Sequence, residues 1–340
     1  MSTTRMIGTL MPLFAVLTAL SVPATRPGEV FPQAFRNDLF EVLRFGGSAY
    51  VCEVGNVEPL KLMRSSSVET GSVELRISQT IIGPSHVSLR VPYTFRTSHH
   101  GSPWMDDVWG GDPRRFQGRT VLCLVIAPQL DPLTSVVPGC DASVACVFAV
   151  SGATDADVYA IRDAAKLHRI VDPDALTQAL KSAVLDPRDR LRIYALEATA
   201  RRLLPVDVAS AAAIITARIA HDRQIPYASG EVEHLVKNVQ SVALSDDLTM
   251  PSRREIAKSV CEWIALGSPD FSQRSIDYLS AIVLQKGISS SDVQLTPATR
   301  SALERKLRWL ATHEDDTPTL VSASKRILAW LAADESNRSD

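Results

Sequence analysis

The sequence predicts an α+β protein, in which a five-stranded OB-like β-barrel is followed by an all-α domain. Apolar and polar side chains alternate over residues 72–77 and 87–95, which is typical of two strands that each bury one face. Near residue 153 the apolar side chains change to spacings of three and four residues, the period of amphipathic helices. A length of 340 residues allows about two domains.

The composition is that of an ordinary globular protein. Hydrophobic residues make up 45% of the chain and charged residues 22%, so a sizeable core is possible. A formal net charge of −2 gives no basic field for nucleic acid or for acidic membranes. The predicted segments are a signal peptide (1–24), a lead-in with a short amphipathic helix (25–47), the barrel (48–152) and the helical domain (153–335).

The N-terminus has the pattern of a cleaved signal peptide. Arg5 precedes an apolar run over residues 6–20, and Val22-Pro23-Ala24 supplies small residues where a signal peptidase cuts. The run is shorter than the about 20 residues that span a bilayer. We therefore expect cleavage after Ala24, export to the periplasm or the exterior, and no transmembrane span in the mature chain. An uncleaved N-terminal anchor is the alternative.

Five strands are predicted ahead of residue 153. They cover residues 50–58, 72–77, 87–95, 120–126 and 144–150. Gly55 suits a bulge or bend in the first strand, and Gly83-Pro84 turns the hairpin. The apolar run over residues 120–126 is typical of a central strand buried on both faces. A long irregular segment separates the third strand from the fourth, as the helix or loop of an OB-type barrel does.

Residues 48–128 resemble the netrin-like relatives of the OB fold, the group that includes the tissue inhibitors of metalloproteinases. The matching features are Ala49–Val57, Ile81-Ile82-Gly83, Val91-Pro92 and Gly118 before Val121-Leu122. The resemblance implies the same barrel. It does not carry over protease inhibition, because those inhibitors chelate the protease zinc with an N-terminal Cys. Here the expected mature chain begins at Thr25, and its first cysteine is Cys52.

The helical domain has well-marked helix starts. The predicted helices lie near residues 155–170, 173–184, 187–203, 207–222, 230–244, 252–266, 271–286, 297–313 and 318–333. A capping Asp or Thr precedes a proline at positions 172, 186, 296 and 317. Ser252 with Glu255 is expected to form a capping box. Short polar links predict antiparallel neighbours, arranged either as a HEAT-like stack of helical hairpins or as an irregular bundle.

The five cysteines are informative because export would allow disulfides. Cys140 and Cys146 flank a short loop that a bridge could close. Cys52 and Cys123 lie on predicted strands, on the faces that carry apolar side chains, so a second bridge is possible. The sequence does not fix the connectivity. Cys261, inside a predicted helix, is expected to be a small buried thiol.

Reactive side chains collect in one place, the segment 98–112. His99 and His100 with Asp106 or Asp107 could ligate a divalent metal, since imidazole and carboxylate are usual zinc ligands. The alternative is a polar surface loop, because adjacent histidines point in different directions and the His-Glu-x-x-His pattern is absent.

Two tryptophans of the same segment suggest recognition. Trp104 and Trp109 could form a binding face, because indoles dominate interface hot spots. The alternative is that both rings close one end of the barrel as core.

Catalytic and basic motifs elsewhere are weak. The chain has no Gly-x-Ser-x-Gly elbow, phosphate loop or dinucleotide glycine pattern. Arg188, Arg192, Arg201 and Arg202 could make a basic patch, but a solvated helix face is the preferred interpretation. Glu197 and Arg201 have the spacing of a favourable i,i+4 pair.

These observations predict an exported, non-enzymatic binding or structural protein that needs no cofactor. Its expected partner is a protein or a cell-envelope component, and not nucleic acid. The alternative hypothesis is a metal-dependent hydrolase centred on His99, His100 and Asp106.

Overall fold

The chain folds into a curled antiparallel sheet followed by packed helices, as seen in a computed structural model. The residues that it describes are 39–60, 68–96, 109, 112–127, 137–149, 154–221, 231–266, 276, 279–280, 282–284, 287–312 and 318–336. The order of elements confirms the predicted α+β class and the change from strands to helices near residue 153.

Five strands form one sheet that curls into a half-barrel. They are β1 (Ser48–Pro59), β2 (Val68–Ile82), β3 (Ser88–Arg96), β4 (Thr120–Ile126) and β5 (Ser143–Ala149), in the order β3-β2-β1-β4-β5. All neighbouring strands are antiparallel. The register of β1 against β2 shifts between Val54 and Val57, which confirms the bulge predicted at Gly55.

The two edges of the sheet approach each other ahead of β5. The backbone N–H of Asp141 donates to the carbonyl of Arg90 at 2.7 Å, and the N–H of Arg90 donates to Asp141 Oδ2 at 2.8 Å. Arg90 lies on β3, so these bonds join the start of β5 to the opposite edge strand. The sheet is therefore curled far enough for its first and last edges to be in contact.

The sheet is buried on both faces. The concave face carries the inner core, which includes Val54, Leu75, Val91 and Tyr93. Burial over residues 121–126 of β4 is continuous, as the apolar run predicts. Val87, the first residue of the predicted third strand, does not join the inner core. It is 89% exposed, because β3 begins one residue later. The prediction that Val87 is buried with the rest of that strand's apolar face is therefore wrong.

The convex face packs against two helices. Helix α1 (Leu39–Arg44) contributes Val42, and helix α2 (Thr154–His168) contributes Val158 and Ile161. They meet Leu122 and Leu124 of β4 in an outer core. Sheet and helices thus share one apolar interface.

Most of the predicted helix over residues 271–286 lies outside the described residues, and seven further helices of the described ranges follow the predicted positions closely. They are α3 (Pro173–Ala183), α4 (Asp189–Ala198), α5 (Val208–Ala220), α6 (Glu231–Ala243), α7 (Met250–Leu266), α8 (Pro297–Thr312) and α9 (Pro318–Ser336). Helix α4 contacts α2 and α6, while α5 contacts α3 and α7. From α2 to α7, helices two places apart in the chain are therefore neighbours, whereas α8 packs against α7 and α9. No helix of the described ranges is long and apolar enough to cross a membrane.

Two predicted helix caps are corrected by the structure. Asp186 accepts the N–H of Arg188 at 2.9 Å in a local turn, so α4 begins two residues later than expected, at Asp189. Ser252 lies inside α7, and the preceding Thr249 accepts its N–H at 3.4 Å. In contrast, Asp172 caps α3 as predicted, accepting the N–H of Ala175 at 2.8 Å.

Candidate functional site

A recess of about 520 Å³ lies where α1, the end of α2 and the end of α4 meet. The residues that line it are Phe40, Arg44, His168, Arg201 and Arg202. We call it the arginine recess. Three arginines, one histidine and one phenylalanine therefore line the same space.

A π-helical turn positions two of these arginines. Helix α4 continues into a π turn over Thr199–Leu203, closed by a hydrogen bond of 2.9 Å from the N–H of Leu204 to the carbonyl of Thr199. The hydroxyl of Thr199 donates to the carbonyl of Ala195 at 2.8 Å, one turn earlier in the helix. A π turn spaces successive side chains more closely around the axis than an α turn does, and such turns are frequent at functional sites. Arg201 and Arg202 are thereby both brought to the recess.

Arg202 closes the end of α2. Its Nη1 donates to the carbonyls of Leu167 and His168, both at 3.1 Å, and its Nη2 donates to the carbonyl of Ile170. Carbonyls at a helix C-terminus lack helical partners and carry partial negative charge, so a guanidinium is favourable there. Arg202 thus fixes one wall of the recess by contacts with backbone.

Arg201 and Arg44 are held by buried carboxylates. Arg201 Nε donates to Glu197 Oε2 at 2.9 Å, as the i,i+4 spacing predicts, and its Nη1 donates to Glu41. Arg44 Nη1 lies 3.4 Å from the other oxygen of Glu41. The side chains of Arg44 and Arg201 remain 56% and 43% exposed, so both guanidinium groups are accessible to a ligand.

Glu197 is ionised although it is mostly buried. Burial opposes its charge, but hydrogen bonds and electrostatic interactions with His234 and Arg201 lower the pKa of Glu197 below its usual value. The His234 ring pairs with Glu197 through Nδ1. The Glu197 carboxylate thus orients Arg201, and His234 holds the same carboxylate in place from its other side.

Aromatic rings form the floor of the recess. The rings of Phe40 and His168 meet edge to face with centroids 5.5 Å apart, and the guanidinium of Arg201 lies 5.5 Å from the centre of the Phe40 ring. His168 Nδ1 is 2.9 Å from the hydroxyl of the buried Tyr194. Burial, and then the positive charge of Arg202, lower the pKa of His168, so its ring is neutral at pH 7.

The charges of the recess favour an anion. Among the described residues, three arginines line the recess, and two carboxylates, Glu41 and Glu197, contact Arg44 and Arg201. Arg202 contributes a charge that is bonded to carbonyls rather than to a carboxylate. The recess therefore has an excess of about one positive charge at a site that offers guanidinium donors.

Of the residues that the sequence put forward as a binding or metal site, the structure describes only Trp109. His99, His100, Trp104, Asp106 and Asp107 lie outside the described residues. Trp109 is 2% exposed in the inner core and packs on Phe116, with ring centroids 6.0 Å apart, which agrees with the interpretation as core. Within the described ranges no group of three or more His, Cys, Asp or Glu side chains could hold a metal ion.

No disulfide joins the five cysteines in this structure. Cys140 is half-buried, Cys146 lies in the outer core, and the predicted Cys140–Cys146 bridge is not formed in this structure. Cys52 and Cys123 lie side by side in the inner core without a covalent bond between them. Cys261 is fully buried, as expected, and burial raises its pKa.

One arginine of the supposed solvated face is instead a core residue. Arg192 is 1% exposed and shares Glu231 with Arg218, and the side chains of Glu231 and Arg218 are both 0% exposed. Arg192 Nη2 lies 3.0 Å from Glu231 Oε2, and Arg218 Nε lies 2.7 Å from Glu231 Oε1. The prediction of a solvated face is wrong for Arg192, because its partner is 39 positions away in the sequence.

Because His168 is neutral in the folded protein, we expect the free energy of unfolding to depend on pH. The unfolded chain binds a proton near pH 6.5, whereas the folded chain resists protonation, so the free energy of unfolding should fall as the pH drops below about 6.5. We expect His168→Asn, which can keep the bond to Tyr194, to lessen this fall in urea denaturation between about pH 7 and about pH 5.5. His221→Asn is the control for loss of an imidazole outside the recess. An equal fall in wild type and His168→Asn would contradict the assignment.

Comparison with protein-family models, with curated proteins and with solved structures finds nothing that matches this chain.

Proposed function

We propose that the chain is an exported, non-enzymatic binding protein whose arginine recess holds an anionic group of its partner. The observation that carries the proposal is the gathering of Arg44, Arg201 and Arg202 around one aromatic-floored recess. The partner is a protein or a cell-envelope component that presents a carboxylate or a phosphate. Export rests on the signal-peptide pattern over residues 1–24.

The chemistry of the recess supports this role. A guanidinium presents parallel N–H donors that match the two oxygens of a carboxylate or phosphate. A volume of about 520 Å³ falls in the range of sites for small ligands or for a few inserted groups. The ion pairs with Glu41 and Glu197 hold Arg201 in place before the ligand arrives, which lessens the entropy lost on binding.

The architecture is also suited to binding. The strand order, with β3 in contact with the start of β5, is the order expected if the sheet is an OB-like barrel, a fold that commonly binds partners. The contacts between helices two places apart are those expected of a HEAT-like stack, whose surfaces bind extended partners. We propose both assignments on these grounds.

Replacing Arg44 should weaken anion binding and leave the fold intact. Its side chain is 56% exposed, makes a long contact with Glu41 and lies over the ring of Phe45, so Arg44→Gln removes a ligand donor at little cost in stability. We expect the affinity for inorganic phosphate, measured by calorimetric titration at constant ionic strength, to fall about tenfold, as for loss of a hydrogen bond to a charged group.

Arg308→Gln is the matched control. Arg308 is 72% exposed and lies 3.3 Å from Glu304, which also binds a second arginine, Arg300, just as Glu41 binds Arg201. This variant should bind phosphate as the wild type does. Equal phosphate affinity of wild type and Arg44→Gln would overturn the proposal. A parallel titration with succinate separates the two sources of the anionic group, because tighter phosphate binding assigns a phosphate and tighter succinate binding assigns a carboxylate.

A further inference from the structure

Two thiols meet inside the sheet. Cys52 on β1 lies opposite Val121 of β4, and Cys123 on β4 lies opposite Tyr50 of β1, so the cysteines are diagonal neighbours on adjacent strands. Both are fully buried in the inner core. The two thiols are in hydrogen-bond contact, with their sulfur atoms 3.4 Å apart.

We propose that Cys52 and Cys123 are the site of a disulfide that forms while the sheet assembles in the presence of an external disulfide. The sulfur atoms need to approach by about 1.4 Å to reach bonding distance. Each cysteine loses its thiol hydrogen, the two sulfurs join, and the external disulfide is reduced to two thiols that take up these hydrogens.

The other cysteines are less well placed for this bond. Cys146 lies on β5 in the outer core, on the opposite side of the sheet from Cys123. Cys261 is buried among the helices. Cys140 is the least buried and is a source of competing exchange while the chain folds. The inner core therefore selects one pair.

Burial of the two cysteines limits formation of the disulfide to the period before folding is complete. Its hydrogen bond with Cys52 and its burial raise the pKa of Cys123 well above its usual value, so the reactive thiolate is scarce in the folded protein. Oxidation is then expected during folding, when the strands are still accessible, and slow afterwards. Once closed, the bond is shielded from reductants by the same core.

The disulfide would stabilise the folded protein because it restricts the conformational freedom of the unfolded chain. It joins residues 71 positions apart, and closing a long loop removes more freedom from the unfolded chain than closing a short one. We expect oxidised protein to melt about 5–10 °C higher than reduced protein.

The test is refolding of the full chain from urea with reduced and oxidised glutathione, followed by alkylation and peptide mapping by mass spectrometry. We expect a peptide containing Cys52 to be joined to one containing Cys123. Alkylation of both cysteines after oxidative refolding would overturn the proposal, and so would a bridge that joins either of them to a different cysteine.

Two double variants separate this pair from the other predicted one. The rise in melting temperature on oxidation should persist in Cys140→Ala/Cys146→Ala and disappear in Cys52→Ala/Cys123→Ala. Each variant is compared with its own reduced form, so destabilisation by the substitutions cancels. Persistence of the rise in Cys52→Ala/Cys123→Ala would contradict the proposal. If that variant does not fold, the peptide map of the wild type decides.

Discussion

Replacing Glu231 with Gln should destabilise the protein by about 3–5 kcal/mol, because it leaves two buried guanidinium groups without their shared counter-charge. The carboxylate of Glu231 contacts Arg192 and Arg218, and the three side chains are at most 1% exposed. Arg192 keeps its bonds to the carbonyls of Asp186 and Pro187 and its ion pair with Asp189 Oδ1 at 2.8 Å, but Asp189 is 62% exposed and does not replace the buried carboxylate. The change is measured as the free energy of unfolding in urea.

Glu304→Gln is the surface counterpart of this variant. Glu304 also contacts two arginines, Arg300 at 3.2 Å and Arg308 at 3.3 Å, but it lies at the surface of α8 with its side chain 26% exposed. Water screens these pairs, so the expected loss of stability is at most about 1 kcal/mol. Similar losses for Glu231→Gln and Glu304→Gln would show that burial of the triad does not matter for stability.

Leu124→Ala should destabilise sheet and helices together by about 2–5 kcal/mol. Leu124 is 1% exposed on β4 and lies in the outer core with Val42 of α1 and Ile161 of α2. Deleting its side chain leaves a cavity in the interface that the two parts share. We expect the urea midpoint to fall when unfolding is followed by far-ultraviolet circular dichroism, which reports mainly the helices.

Leu266→Ala controls for the loss of a leucine in general. Leu266 is 48% exposed at the end of α7, so we expect a change of less than about 1 kcal/mol. The shared interface would be contradicted if Leu124→Ala left the helical transition unchanged while the sheet unfolded earlier. In that case the two parts would unfold independently.

Much of the fold follows from local side-chain periods. The hairpin of β2 and β3 and the bulge at Gly55 could be predicted because each depends on residues close in sequence. The burial of β4 on both faces could be predicted from its uninterrupted apolar run. Helix starts were less certain where two capping residues compete, as Thr249 and Ser252 do at the start of α7.

The candidate site could not be predicted in the same way. Arg201 and Arg202 become neighbours of Arg44 only after α1 packs against α4, across more than 150 positions of sequence. The π turn that directs them leaves no clear pattern in residues 199–203. Arg192 has the spacing of a surface residue, and its burial depends on Glu231, whose position is set by the packing of α6 against α4.

Nuclear magnetic resonance of the His168 ring during a phosphate titration tests the arginine recess most directly. A phosphate held beside Arg44 and Arg201 would add negative charge near the imidazole and favour its protonated form. We therefore predict a saturable shift of the His168 ring signals and a rise in the pKa of His168, with no such change in an equal ionic strength of chloride. Ring signals and a pKa that are the same in phosphate and in chloride would contradict an anion-binding recess.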